Sequence, residues 1–174
     1  MLNSSSGFHR VKTFFFFLSR PFQLLKEARS LDNVDVKVVD YNGKMPFKLQ
    51  LEQTHNSDIF IGMHGSGLTH LLFLPDWAAI MEIYNCDDAG CYSDLARLRG
   101  VKYFTWPKSK EHLIEADNIQ NHPSLGKPHK KFANYRFNAG EFKKNLQKMA
   151  EYVRRHPQFL AQRRLLRRSK KGEL

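Results

Sequence analysis

"FIGMHGSGLTHLLFLP", residues Phe60–Pro75, joins an apolar run to a loop with glycines two residues apart, then to an apolar segment stopped by proline. Its first half, extended to "DIFIGM" (58–63), is a continuous apolar run, the pattern of a strand buried on both faces of a parallel sheet. The second half, from about Leu68 to Leu74, reads as a helix that ends at Pro75. A strand that turns through glycines into a helix is the unit of an open α/β sheet, and ligands of such sheets sit beyond the carboxyl ends of the strands.

The flanks repeat the alternation. "VDVKVVDY" (34–41) reads as a strand with Val34, Val36 and Val38 on one face. "PFKLQLEQTH" (46–55) reads as a helix with Pro46 in its first turn. "AIMEIY" (79–84) is a second buried strand, "SDLARLRG" a helix capped by Ser93 and closed by Gly100, and "VKYFTW" (101–106) a further strand. Residues 107–138 read as a polar loop, followed by helices near 140–155 and 157–169. The spacing predicts right-handed βαβ units in an α/β, Rossmann-like, mostly parallel sheet. By composition the chain divides into a divergent, disordered segment over 1–30, a lobe over 31–156, and a basic helix and tail over 157–174.

The formal net charge is +11 over 174 residues. Residues 154–174 hold eight Lys or Arg against the single acid Glu173, so this end supplies most of the excess. Without an aromatic or glycine-rich recognition motif beside them, these charges read as a solvated helix face, and nucleic acid is not expected as a partner. No stretch reaches the roughly 18 to 20 apolar residues of a membrane span. The run Phe14–Leu18 is shorter than the apolar core of a signal peptide. A glycosylation sequon stands at Asn3-Ser4-Ser5.

The loop Met63–Gly67 carries the chemistry. Gly65 and Gly67 allow positive φ and close approach of backbone N–H groups to a ligand. The following helix aims its unpaired N–H groups and positive dipole end at the same point. Ser66 and Thr69 add hydroxyls and His64 a ring N–H, which together make a cradle for a phosphate or diphosphate. The third glycine of the dinucleotide fingerprint and the Gly-Lys-Ser/Thr of a P-loop are both absent. A tight turn with no ligand is the bland alternative. In "AIMEIYN", Glu82 is a charge inside an otherwise buried strand and needs a partner. It faces either ribose hydroxyls or a salt bridge to Arg97 or Arg99. His70 reads as packing or capping, while His112, His122 and His129 fall in the polar loop. No cofactor and no metal set is read from the chain, since Asp87-Asp88 is not an Asp-x-Asp metal motif and no further Cys or His pair accompanies the two cysteines. No catalytic base is visible.

The segments "THNSDIFIGMHGSGLTHLLFLPDWAAIMEIYNC" (54–86) and "CYSDLARLRGVKYFTW" (91–106) resemble the C-terminal region of glycosyltransferase family 61. "FLPDWAA" and the paired cysteines are similar to its EGF-directed branch. The resemblance implies the nucleotide-sugar-binding lobe of a GT-B enzyme that transfers N-acetylglucosamine from UDP-N-acetylglucosamine to Ser or Thr of EGF repeats in the endoplasmic reticulum lumen. It assigns the UDP diphosphate to His64, Gly65, Ser66, Gly67 and Thr69, and the ribose to Glu82. Cys86 and Cys91, four residues apart across "CDDAGC", have a spacing that permits a disulfide, which an oxidising lumen favours and a reducing compartment does not. Lys171-Gly172-Glu173-Leu174 resembles a lumenal retrieval signal, with Gly172 in place of an acid. Such an enzyme has several hundred residues before Val34, so the expectation is a truncated product, inactive alone. The alternatives are a non-catalytic nucleotide-binding product and a sister activity directed at O-mannose or xylan.

Overall fold

A computed structural model describes residues 10–16, 22–83, 90–128 and 133–172. Its centre is a five-stranded sheet built from β1 (Val11–Phe16), β2 (Val34–Val39), β3 (Ile59–Gly62), β4 (Ala79–Glu82) and β5 (Lys102–Thr105). The spatial order is β2-β1-β3-β4-β5, and every neighbouring pair is parallel. The parallel α/β expectation therefore holds. The strand order reverses direction between β1 and β3, which is where open sheets of this order leave a crevice at their carboxyl ends.

The continuous apolar runs are explained by layers on both faces. Ile59, Ile61, Ala79, Met81 and Ile83 point into one core with α1 (Phe22–Arg29) and α4 (Ala139–Arg155). Phe60 and Ile80, one residue out of phase, point into a second core with Leu68, Leu71, Leu74, Tyr92 and Ala96. Alternate residues of one strand thus bury against opposite layers, which only a central strand permits. The second layer holds α2 (Phe47–His55), the segment Ser66–Phe73 and α3 (Cys91–Arg99).

The structure corrects the expectation of disorder over residues 1–30. β1 lies inside the sheet, paired with β2 and β3, and α1 follows it with Leu24, Leu25 and Ala28 buried. The alternation of buried Val11 and Thr13 with exposed Lys12 is too short to stand out beside the phenylalanine run that follows it in the sequence. Residues 1–9, with the sequon, lie outside the described residues. The polar stretch 107–138 also holds more than a loop: β6 (Ile114–Asp117) and β7 (Asn134–Phe137) pair antiparallel as a separate two-stranded sheet. Its strands do alternate, as Ile-Glu-Ala-Asp and Asn-Tyr-Arg-Phe with Phe137 buried, but each runs for four residues only and the surrounding polar residues obscure it.

α5 (Pro157–Lys170) is joined to the body at its first turns. Phe159 is buried in the first core, and Arg163 reaches the Asp58 carboxylate at 3.3 Å. Asp58 also accepts from the Trp77 ring N–H and the Lys12 amide, both at 2.8 Å, so a buried acid ties the amino-terminal side of the sheet together. Beyond these anchors the basic side chains of α5 are exposed, as the charge pattern suggests. Gly172 closes the helix at φ 70°, while Glu173 and Leu174 of the retrieval-like tail lie outside the described residues.

Candidate functional site

The glycine loop leaves β3 at the carboxyl edge of the sheet. Phe16, Gly62, Glu82 and Thr105 occupy the last rung of four adjacent strands, so the loop and Glu82 meet there through register alone. His64 Nδ1 pairs with Glu82 Oε1. Tyr103 donates its hydroxyl to Glu82 Oε2 at 2.5 Å, and the Thr105 hydroxyl donates to the Glu82 carbonyl at 3.1 Å. The His64 ring packs edge-on to Tyr92, with centroids 5.2 Å apart.

Glu82 is 5% exposed, so a carboxylate there needs donors, and His64 and Tyr103 supply them. Burial, then the hydrogen bond to Glu82 and its charge, hold the Tyr103 phenol above its ordinary range, so it stays a donor. The salt-bridge alternative for Glu82 is overturned. Arg97 pairs with Asp94, and Arg99 pairs with Asp76 while donating to the Leu72 and Leu74 carbonyls. Both Glu82 oxygens have protein partners, so a ribose contact would be additional to these.

The helix after the loop is not an α-helix. Ser66–Phe73 is a 3₁₀ segment, and three successive carbonyls at its start are each bound from three residues on. The Leu68 amide donates to the Gly65 carbonyl at 2.9 Å, the Thr69 hydroxyl to the Ser66 carbonyl at 2.7 Å, and His70 Nδ1 lies 3.1 Å from the Gly67 carbonyl. Because a peptide is planar, fixing these carbonyls along the segment aims the Ser66 and Gly67 N–H groups out of its amino end.

Two expectations for the loop change here. Thr69 has a single hydroxyl hydrogen and gives it to Ser66, so its role is to set the loop and not to donate to a ligand. Positive φ is needed at Gly65, at 153° with ψ 169°, and not at Gly67, which lies within the 3₁₀ segment. The remaining assignments, His64, Gly65, Ser66 and Gly67, are brought together at one strand end. Two open surface grooves of about 400 and 420 Å³ lie elsewhere, at the α4–α5 junction and between α2 and Phe73.

Comparison with known proteins bears directly on this loop. Residues 19–81, which include β3, the loop and most of β4, match the family described as Glycosyltransferase 61. The chain is 53% identical over 135 residues to the EGF domain-specific O-linked N-acetylglucosamine transferase of Xenopus laevis. It is 50% identical over 138 residues to that of Rattus norvegicus and 48% over 137 residues to that of Drosophila melanogaster. The chain is homologous to glycosyltransferase family 61. These alignments cover 77% of the chain for the frog protein and 79% for the other two. The chain spans about a quarter of the length of these relatives, 25% in the first and 26% in the others. The family match begins upstream of α1, so the likeness reaches further toward the amino end than Val34.

Tyr103, Tyr92 and Gln50 belong to the site neighbourhood and were not legible as such. Tyr103 reads only as an aromatic in a strand; its pairing with Glu82 needs the β4–β5 register. Cys91 opens α3 at an exposed position, and Cys86 lies outside the described residues, so their pairing is not decided by the fold. Ser93 is not the helix cap expected of it: the N-cap is Gly90, and the Ser93 hydroxyl donates to the Gly90 carbonyl from inside α3.

Proposed function

We propose that this chain is the nucleotide-sugar-binding lobe of a GT-B glycosyltransferase that moves N-acetylglucosamine from UDP-N-acetylglucosamine to Ser or Thr of EGF repeats in the endoplasmic reticulum lumen. One observation carries the donor assignment. The carbonyls of Gly65, Ser66 and Gly67 are all turned inward and bound, leaving two successive amides directed outward at the switch point of a parallel sheet. The diphosphate lies against these amides, and His64, whose Nδ1 donates to Glu82, adds a second donor through Nε2 as an imidazolium. Their chemical contribution is to stabilise the negative charge that develops on the departing UDP. The name shared by the relatives favours EGF repeats over O-mannose or xylan as acceptor. No helix among the described residues is long and apolar enough to cross a membrane.

Ser66→Pro tests the cradle. Ser66 is the first residue of its helical segment, where proline fits the backbone but supplies no N–H. A hydrogen bond to a charged group contributes about 1.5–3 kcal/mol, so UDP affinity by calorimetry should fall roughly 10- to 100-fold. Wild-type affinity in that variant, with the circular dichroism spectrum unchanged, would sink the cradle assignment.

A further inference from the structure

His70 sits between two hydrogen-bond acceptors. Its Nδ1 lies 3.1 Å from the Gly67 carbonyl, and its Nε2 lies 3.1 Å from Gln50 Oε1. The orientation of the Gln50 amide is set independently, because its Nε2 donates to the Met45 carbonyl at 2.9 Å and toward the Asn42 carbonyl at 3.5 Å. Oε1 must therefore be the atom facing His70. A neutral imidazole has one donor and one acceptor nitrogen and can satisfy only one of these two contacts. An imidazolium satisfies both.

We infer that His70 is a protonation-dependent clamp on the glycine loop: as an imidazolium it bridges the Gly67 carbonyl to Gln50 of α2, and an anion held by the Ser66 and Gly67 amides draws the proton onto it. This rests on the anion-cradle reading above. Gly67 is the chemical link. Its amide faces the anion and its carbonyl, in the next peptide group, accepts from His70, so the two contacts are coupled through the loop geometry and through the attraction of the anion's charge for the imidazolium. His70 acts through Gly67 and is a positioning residue.

The surroundings make the equilibrium adjustable. The ring stacks on Tyr41 at 4.5 Å and meets Phe47 of α2 and Phe73 of its own segment edge-on, at 6.4 Å each. Tyr41 is the titratable group among these neighbours, and burial raises its phenol, so it stays neutral. The charged residues of α2, Lys48 and Glu52, are exposed. Burial lowers the His70 pKa while the Gly67 carbonyl works in the opposite direction. In the free protein His70 is therefore easily deprotonated, and the clamp on Gly67 and Gln50 loosens.

The sign follows from linkage. A pKa raised by ligand means that the extra affinity is fully present below the free-protein pKa and is lost as pH rises through the bound-state pKa. UDP-N-acetylglucosamine is the right probe, because its diphosphate is esterified at both ends and takes up no proton between about pH 5 and 8. Calorimetry of this ligand in buffers of different ionisation enthalpy counts protons taken up by the protein. The wild type should take up a fraction of a proton, and its Kd should rise roughly three- to tenfold across that range. His70→Asn keeps one donor but cannot titrate; it should bind more weakly at low pH, with no proton uptake from this position and a flatter profile. Imidazole nitrogen shifts of the free protein should show both His70 nitrogens protonated at low pH.

Undiminished proton uptake in His70→Asn would overturn the clamp, since the proton would then go elsewhere, for example to His64. Shifts showing a neutral His70 tautomer throughout the range would also overturn it. Failure of the wild type to bind the nucleotide sugar is a different result: it refutes the cradle reading, while the nitrogen shifts still decide the protonation state of His70.

Discussion

Gly65 is the one residue of the loop whose identity the backbone demands. Its φ of 153° with ψ near 169° is a conformation open essentially to glycine, and a Cβ there would meet nothing within 4 Å. The penalty of a side chain is therefore conformational and not steric. Gly65→Ala should lower stability by about 1–3 kcal/mol, read as a shift of the urea midpoint. An unchanged midpoint would mean the loop relaxes to an ordinary conformation. Glu82 illustrates the other kind of residue. It was legible as a buried charge in need of partners, yet the partners, His64 from 18 residues before and Tyr103 from 21 residues after, follow from strand register and not from spacing in the chain.

At the scale of elements, α4 shows local rules and long-range contacts working together. Asn138 caps the helix by accepting from the Glu141 amide at 2.9 Å, and the Glu141 carboxylate receives Lys110 Nζ at 2.6 Å from across the fold. The Lys110 contact holds the Glu141 carboxyl below its ordinary value despite burial that works the other way. For a depressed folded-state pKa, the stabilisation is present above the unfolded value and disappears as pH falls through the folded one. Glu141→Gln should therefore lower the urea midpoint at neutral pH, and the difference from wild type should shrink below about pH 4. A difference that persists in acid would assign the effect to packing alone. The 3₁₀ segment was predictable as helical but not by type. The bonds of Thr69 and His70 back to Ser66 and Gly67 tighten its first turn, and His70 is placed by α2, which the apolar pattern of residues 68–74 does not encode.

For the whole molecule, the proposed function makes the sheet one wall of a reaction site. On that reading the last rung of its strands gathers the donor-binding groups, whereas removal of a proton from an acceptor hydroxyl needs a base facing them. Holding two reactants together is worth roughly 7–11 kcal/mol, and general base catalysis about 10²–10⁴-fold. The 174-residue polypeptide, about a quarter of the length of its relatives, should therefore bind UDP-N-acetylglucosamine without transferring sugar. Incubation with a folded EGF repeat and mass spectrometry for added N-acetylhexosamine checks this. Transfer above the level of a Ser66→Pro control would place acceptor groups within these residues.

The sequence by itself determined the parallel α/β class, the position of the glycine loop and the resemblance to family 61. Continuous apolar runs, glycine spacing and helix stops are local signals that survive without coordinates. Only the tertiary structure decided that β1 lies inside the sheet, that residues 107–138 contain a second small sheet, and that His64, Glu82 and Tyr103 form one cluster. The short alternation at the start of β1 is lost beside a phenylalanine run, and those of β6 and β7 last four residues each within a polar stretch. Side chains from β3, β4 and β5 become neighbours through hydrogen-bond register, a relation between strands that no single strand carries.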